Sequence, residues 1–202
     1  MKAKIAVLVS GGGTNLQAMI DAQKKGIIKT GEISLVISGN PDAFALTRAK
    51  NAGIDTFVIP SKSTDFEDKL IEKLEKEQID LIVLAGFMKI LSEKFTSRFA
   101  NRIINVHPAL IPSFCGKGYY GLKVHGEALK YGVKVTGATV HFVNEIPDGG
   151  KIIAQKAVKI LKNDTPETLQ KRVMQQAEWI ILPRACELVS KQIIKEKKNE
   201  RV

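Results

Sequence analysis

The sequence predicts an α/β protein: a doubly wound, mostly parallel sheet with an added C-terminal β-hairpin and a long final helix. Three observations carry that expectation. Apolar runs such as Ile5 to Val9 and Leu81 to Ala85 are nearly unbroken, as in strands buried on both faces of a parallel sheet. These runs alternate with segments of helical periodicity through residue 106, which gives βαβ units with right-handed crossovers. From residue 135 the alternation stops, and two strand-like segments and a helix finish the chain.

Taken in order, Lys4 to Val9 opens the sheet and runs into Ser10-Gly11-Gly12-Gly13-Thr14-Asn15. Leu16, Met19 and Ile20 then recur at helical spacing, and Gly26 ends that helix. Ile33 to Ile37 is the second strand, Ala43 to Ala52 a helix closed by Gly53, and Thr56 to Ile59 a short strand before Pro60. Thr64-Asp65-Phe66-Glu67 has the spacing of a capping box and predicts a charged helix over 65–77. Asp80 to Ala85 is a buried strand, Ser92 caps a helix near 93–100, and 102–106 is the fifth strand. Residues 108–121 hold Pro108, Pro112, Gly116, Gly118 and Gly121 and read as a long loop before a helix from Leu122 to Tyr131. Val135 to Val143 and Lys151 to Ile160 form the hairpin. Asp164-Thr165-Pro166-Glu167 starts the last helix, with proline at its favoured first position, and Pro183 is expected to kink or interrupt it.

The 202 residues are expected to form one domain over 1–190 and a charged C-terminal tail over 191–202. The tail carries five basic and two acidic side chains. No apolar run approaches the ~20 residues that span a bilayer, and the N-terminus lacks a signal-peptide pattern, so a cytoplasmic protein is expected. Cys115 and Cys186 are far apart and read as free thiols. Neither they nor the three histidines have metal-ligand spacing, so no metal is expected. The net charge of +10 is compatible with anionic small molecules. A nucleic-acid role would rest on charge alone, since the basic tail has no aromatic interleaving.

Asn105-Val106-His107-Pro108, with Asp148-Gly149-Gly150 some forty residues later, is the candidate catalytic set. Side chains two apart on a strand share a face, so Asn105 and His107 project together from its C-terminal end. Ligands of open α/β sheets bind at that end. An amide and an imidazole beside a carboxylate can polarise a carbonyl and move protons. Asp148 is expected to raise the pKa of His107. The bland alternative is a polar strand end feeding a loop. His125 and His141 read as structural.

The Gly-rich turn after the first strand is the second candidate site. Glycines let successive N–H groups face an anion, and the helix N-terminus adds partial positive charge. The turn is not a Walker A loop. It also fails the dinucleotide fingerprint, because Leu16 stands where the third glycine belongs and no acidic residue ends the second strand. A single phosphate group is therefore favoured over a dinucleotide; a tight βα turn with spare glycines is the other option. No serine or cysteine is placed as an obvious nucleophile, so direct attack by a substrate amine suits acyl transfer better than a covalent intermediate.

These motifs, in this order, resemble the phosphoribosylglycinamide formyltransferases, folate-dependent enzymes of purine synthesis with a Rossmann-like formyltransferase fold. The resemblance covers nearly the whole chain. It rests on Ser10 to Gln17, Leu84 to Leu91, Asn105 to Pro112, Thr136 to Val143 and Asp148 to Gly150. It implies transfer of a formyl group from 10-formyltetrahydrofolate, as co-substrate, to the amine of glycinamide ribonucleotide. Asn105, His107 and Asp148 would be catalytic. Gly12, Gly13, Thr14 and Asn15 would hold the ribonucleotide phosphate, and Gln175 and Glu178 would reach the substrate from the last helix. Met88, Lys89, Ile90, Leu91, Asn105 and Val143 would meet the folate, with Lys62 near its tail. No nucleic acid or membrane partner is implied, and the protein would be a monomer or homodimer. Arg172 to Pro183 is one residue longer than the usual form, and Gly116 to Tyr120 looks like an insertion. Related hydrolases carry an extra N-terminal regulatory domain, and methionyl-tRNA formyltransferases a C-terminal RNA-binding barrel; 202 residues hold neither.

Overall fold

The computed structural model describes residues 1–199. Seven strands form one sheet: β1 (Ala3–Val9), β2 (Gly31–Ser38), β3 (Asp55–Val58), β4 (Leu81–Leu84), β5 (Ile103–His107), β6 (Val135–Phe142) and β7 (Ile152–Lys159). Their spatial order is β3-β2-β1-β4-β5-β6-β7. The first five pair in parallel, and β5–β6 and β6–β7 pair antiparallel. This is the doubly wound sheet with an appended hairpin that the alternation predicts. Strand order reverses at β1, so the crevice between the C-terminal ends of β1 and β4 is the switch point where such sheets bind ligands.

The period of two along each strand divides the core into two layers. Ile5, Val7 and Val9 face α1 (Thr14–Lys24), α2 (Phe44–Asn51) and the C-terminal helices, while Ala6 and Leu8 face α3 (Phe66–Lys76) and α4 (Glu93–Arg98). Leu16, Met19 and Ile20 bury the inner stripe of α1; Phe66, Leu70 and Leu74 do the same for α3. Phe95 of α4 is fully buried in the second layer. Truncating such a side chain to alanine costs about 3–5 kcal/mol. α5 (Leu122–Tyr131) packs against α6 (Pro166–Val173).

Several local expectations are corrected. The Thr64 box does not form: Asp65 is the N-cap of α3 and makes no side-chain cap bond. The Glu67 carboxylate turns instead to Ser92 at the start of α4, accepting from its N–H at 2.9 Å and from its hydroxyl. A tertiary partner has outcompeted the local one. Ser92 does cap α4, accepting from the Phe95 N–H. At α6, Thr165 and Thr168 form a reciprocal box with Pro166 in the first turn.

Pro183 does not interrupt the last helix. α7 runs from Trp179 to Asn199 through it, and the irregularity lies upstream in a π turn, Met174–Glu178. A π turn holds one more residue than an α turn, which absorbs the extra residue expected between Arg172 and Pro183. Residues 191–199 are not a tail apart from the domain either. They are the last turns of α7, and Ile193 and Ile194 are buried in the first core layer. Residues 200–202 of the expected tail lie outside the described residues. Among the described residues, no helix is long and apolar enough to cross a membrane.

Candidate active site

β5 delivers Asn105 and His107 on one face of its C-terminal end, as the two-residue spacing requires. His107 is buried and Asn105 half-buried. Asp148 meets them from the turn after β6. It adopts φ +58°, a conformation that Asp tolerates better than most residues. The two glycines after it are steric necessities. A Cβ on Gly149 would lie 2.7 Å from the Ile146 side chain, and one on Gly150 would lie 1.8 Å from the Phe142 carbonyl oxygen.

Asp148 is the hub. Its Oδ2 lies 3.4 Å from His107 Nδ1 and accepts from the Gly116 N–H at 2.8 Å; its Oδ1 lies 3.4 Å from His141 Nε2. His107 Nε2 lies 2.8 Å from the Phe114 carbonyl oxygen. A carbonyl only accepts, so Nε2 carries the proton, and Nδ1, toward Asp148, is the nitrogen that titrates. His141 Nδ1 is similarly fixed by the Phe142 carbonyl at 2.7 Å, and its Nε2 lies 3.3 Å from the Asn105 amide nitrogen. His141, expected to be structural, therefore belongs to this cluster. It pairs directly opposite Asn105 across the β5–β6 ladder, a neighbour that only strand register reveals.

The electrostatics reverse one expectation. Burial lowers the His107 pKa below its ordinary value; Asp148 and the Phe114 carbonyl push it up without making up the difference. The carboxylate raises this pKa, as the sequence reading holds, but desolvation of the ring dominates. Burial also pushes the Asp148 carboxyl up, yet His141, His107 and the Gly116 N–H outweigh that and leave it below the usual carboxylate value. The couple rests as carboxylate and neutral imidazole at neutral pH. Cys115, nearby on the loop, is free, and burial pushes its thiol up, so it stays protonated and weakly nucleophilic.

A cavity of about 630 Å³ opens beside His107, Asn105 and Asp148 and reaches Thr14, Asn15 and Glu178. Glu178 ends the π turn, buried, and accepts from the Asn15 amide at 2.7 Å. Burial pushes its carboxyl up to about 7, the Asn15 bond opposing. Gln175 is exposed and is absent from the cavity wall, where Gln170 and Met174 stand instead. The π turn accounts for this by shifting the register of the helix faces. His125, on α5, also lines the cavity; it is fully buried with both ring nitrogens unpartnered, and burial lowers its pKa to about 4.

Thr14 and Asn15, at the head of α1, form the opposite end, while Gly12 and Gly13 of the loop before them line neither this cavity nor either of two smaller ones. Gly13 has φ +70° and is the N-cap of α1, and a Cβ there would lie 2.6 Å from that of Ala45 on α2. Gly13 therefore serves both conformation and close approach. Gly12 is exposed, with open space where its side chain would be. Met88, Lys89 and Ile90 continue the wall from β4, and the Met88 N–H donates to Ser10 Oγ at 3.0 Å. Leu91 and Val143 line a smaller adjoining cavity of about 130 Å³ with Asn105 and His141. A third, of about 410 Å³, is lined by Ser61, Phe66, Met88 and Lys89. There the Lys89 ammonium donates to the Ser61 carbonyl at 3.0 Å and sits 4.1 Å from the Phe66 ring centre. Lys62 is exposed and lines none of these three cavities. Among the described residues, no group of three or more His, Cys, Asp or Glu side chains is placed to hold a metal ion.

The formyl transferase family model matches residues 3–186. The chain is similar to phosphoribosylglycinamide formyltransferase of Haemophilus influenzae, 45% identical over 89% of this chain and 84% of that one. The chloroplastic phosphoribosylglycinamide formyltransferase of Arabidopsis thaliana is 39% identical over 87% of this chain. The chain spans 61% of that plant protein's length, and 18% of the trifunctional purine biosynthetic protein of Gallus gallus, to which it is also similar. Among solved structures, glycinamide ribonucleotide transformylase 1 from Symbiobacterium toebii superposes with a TM-score of 0.87 at 40% identity, covering 95% of this chain and 89% of that one.

Proposed function

The chain belongs to the formyl transferase family, and on that premise we propose that it moves the formyl group of 10-formyltetrahydrofolate to the amine of glycinamide ribonucleotide. The observation that carries this reading is the cluster at the end of β5. Asp148 is joined to both His107 and His141, with Asn105 beside them, in a cavity whose far wall is the N-terminus of α1. One end of the cavity supplies proton-transfer groups and the other suits a phosphate, so a phosphorylated amine fits between them.

In this reading the substrate amine attacks the formyl carbon. The carbonyl π pair becomes an oxyanion, and the attacking nitrogen becomes a cationic ammonium. The Asn105 amide, oriented by His141, donates to the oxyanion. His107 rests neutral, so its Nδ1 accepts the ammonium proton. The imidazolium so formed is stabilised by Asp148, and its positive charge beside the cavity stabilises the oxyanion. It then returns the proton to the folate nitrogen as the carbon–nitrogen bond to the folate breaks and the carbonyl reforms. One proton moves from amine to folate, and the enzyme ends as it began. Holding both substrates side by side is worth up to about 7–11 kcal/mol of the barrier.

Thr14, Asn15 and the Gly12–Gly13 backbone hold the phosphate in this assignment, and Glu178 reaches the ribose. Met88 to Leu91 and Val143 flank the folate ring. Lys89, held over Phe66 in the groove of Ser61, is better placed than Lys62 for an anionic folate tail. The protein needs only these small-molecule substrates. The test is to mix it with the folate donor and glycinamide ribonucleotide and follow the folate spectrum. Formyl transfer that depends on the ribonucleotide supports the reading. Release of formate at the same rate without ribonucleotide would mean a hydrolase and would overturn it.

A further inference from the structure

Every carbonyl of the three loop glycines is already bonded to protein. The Gly11 carbonyl accepts from the Ala45 N–H at 3.1 Å, that of Gly12 from Arg48 Nε at 2.8 Å, and that of Gly13 from the Gln17 N–H at 2.9 Å. Two of the three donors come from α2. In a planar trans peptide, the carbonyl of one residue and the N–H of the next point in opposite directions. Fixing these three oxygens therefore turns the N–H groups of Gly12, Gly13 and Thr14 the other way. Three successive N–H groups at the head of a helix form an anion-binding concavity.

Ala45 and Gln17 act through their backbones, and any residue there would supply the same bond. Arg48 acts through its side chain. Its Nη1 also donates to Gln17 Oε1 at 3.1 Å, and its guanidinium carbon lies 4.9 Å from the Phe44 ring centre. Its Cδ would lie 3.5 Å from a Cβ on Gly13. The planar fork is thus held by a carbonyl, an amide oxygen and an aromatic face, behind the loop.

We propose that Arg48 is a positioning residue for the substrate phosphate, holding the Gly12 carbonyl back so that the Gly13 N–H faces the anion. This rests on the function proposed above and adds to it. Without the fork, the peptide between Gly12 and Gly13 is free to rotate and to turn an oxygen toward the phosphate. A lysine supplies the same charge and one donor, but lacks the plane that reaches both Gly12 and Gln17.

Arg48→Met and Arg48→Lys are to be compared with wild type for binding glycinamide ribonucleotide and its dephosphorylated riboside, and for kcat and KM. Arg48→Met should weaken ribonucleotide binding and raise its KM by about tenfold or more. Riboside binding, the folate KM and kcat should stay within about twofold, because the reacting atoms are elsewhere. Arg48→Lys should recover part of the loss. Equal losses for ribonucleotide and riboside would overturn the proposal, making Arg48 a fold contact only. A lysine variant equal to wild type would also overturn it, since charge alone would then suffice. Should the methionine variant fail to fold, the Gly13 amide signal under ribose 5-phosphate decides: a clear shift in wild type, diminished in Arg48→Lys, supports the proposal, and the same shift in both overturns it. A Gly13 amide shift that is diminished in Arg48→Lys, in a protein that transfers no formyl group, would sink the proposed reaction and leave the role of Arg48 standing.

Discussion

The two ends of the cavity are built on opposite principles. At the end of β1 the groups proposed to bind are backbone N–H donors, positioned by Gly13 and by contacts from α2, and none of them titrates. At the end of β5 they are side chains from three separate segments, and the behaviour of each depends on what buries it. In the proposed function the glycine loop would hold its phosphate through oriented backbone N–H groups. The Asp148 cluster gains its reactivity from a contest between burial and partners, which burial wins for His107 and the partners win for Asp148. Binding and chemistry can therefore be damaged separately, and that separation is the comparison to break.

The largest effect is expected at Asp148. Asp148→Asn keeps the volume of the side chain but removes its charge. The His107 pKa falls further, the imidazolium loses its partner, and kcat should drop by about 10²-fold or more. Ribonucleotide binding should stay near wild type. A His107 NMR titration and a binding isotherm check both halves; an unmoved pKa with near-normal turnover would reduce Asp148 to a turn residue.

Gly13→Val is the converse experiment. The β-branched side chain meets Ala45 and cannot easily hold φ +70°, a strain of about 1–3 kcal/mol. The ribonucleotide KM should rise by about tenfold or more while folate affinity changes little. Calorimetry that shows equal losses for both substrates would mean that the two ends are not independent.

Glu178 lies between the two regimes, since it bonds to Asn15 of the loop yet titrates like the cluster. Its folded pKa of about 7 lies above the ordinary 4.5. Its proton is bound more tightly in the folded state, so its contribution to stability is full below about pH 4.5 and is lost as pH rises through about 7. Glu178→Gln keeps an acceptor for Asn15 and removes that loss. The variant should melt higher than wild type at about pH 8 and bind ribonucleotide more weakly. Thermal melts across pH that run parallel for the two proteins would contradict this.

The smallest effect sharpens the burial side of the contest. His125 has a folded pKa of about 4 against an ordinary 6.5. Its contribution is full above about pH 6.5 and is lost as pH falls toward about 4, because only the unfolded chain takes up the proton in that window. His125→Leu should lose less melting temperature than wild type on acidification from about pH 7.5 to about pH 4.5. An unchanged slope would show that this imidazole reaches water more freely than its burial implies.

Much of this was legible in the sequence. Unbroken apolar strands, helical periodicity and glycine punctuation set the five parallel strands and the appended hairpin, because buried strands and amphipathic helices need those patterns locally. The spacing of Asn105 and His107 fixed their shared face, and the run of glycines marked the turn after β1. Only the tertiary structure decided the rest, since it depends on which distant segments meet. Glu67 left its local cap for Ser92, a partner on another helix. The π turn moved Gln175 off the cavity wall and brought Met174 onto it. His141 joined the cluster because antiparallel register set it opposite Asn105, and no local pattern encodes register between strands thirty residues apart. The direction of the His107 pKa needed both the partner, which sequence suggested, and the desolvation, which depends on every element packed around the ring. Local periodicity fixes which way a side chain points along its own element; its neighbours, its burial and therefore its protonation are fixed by contacts that close only when the chain has folded.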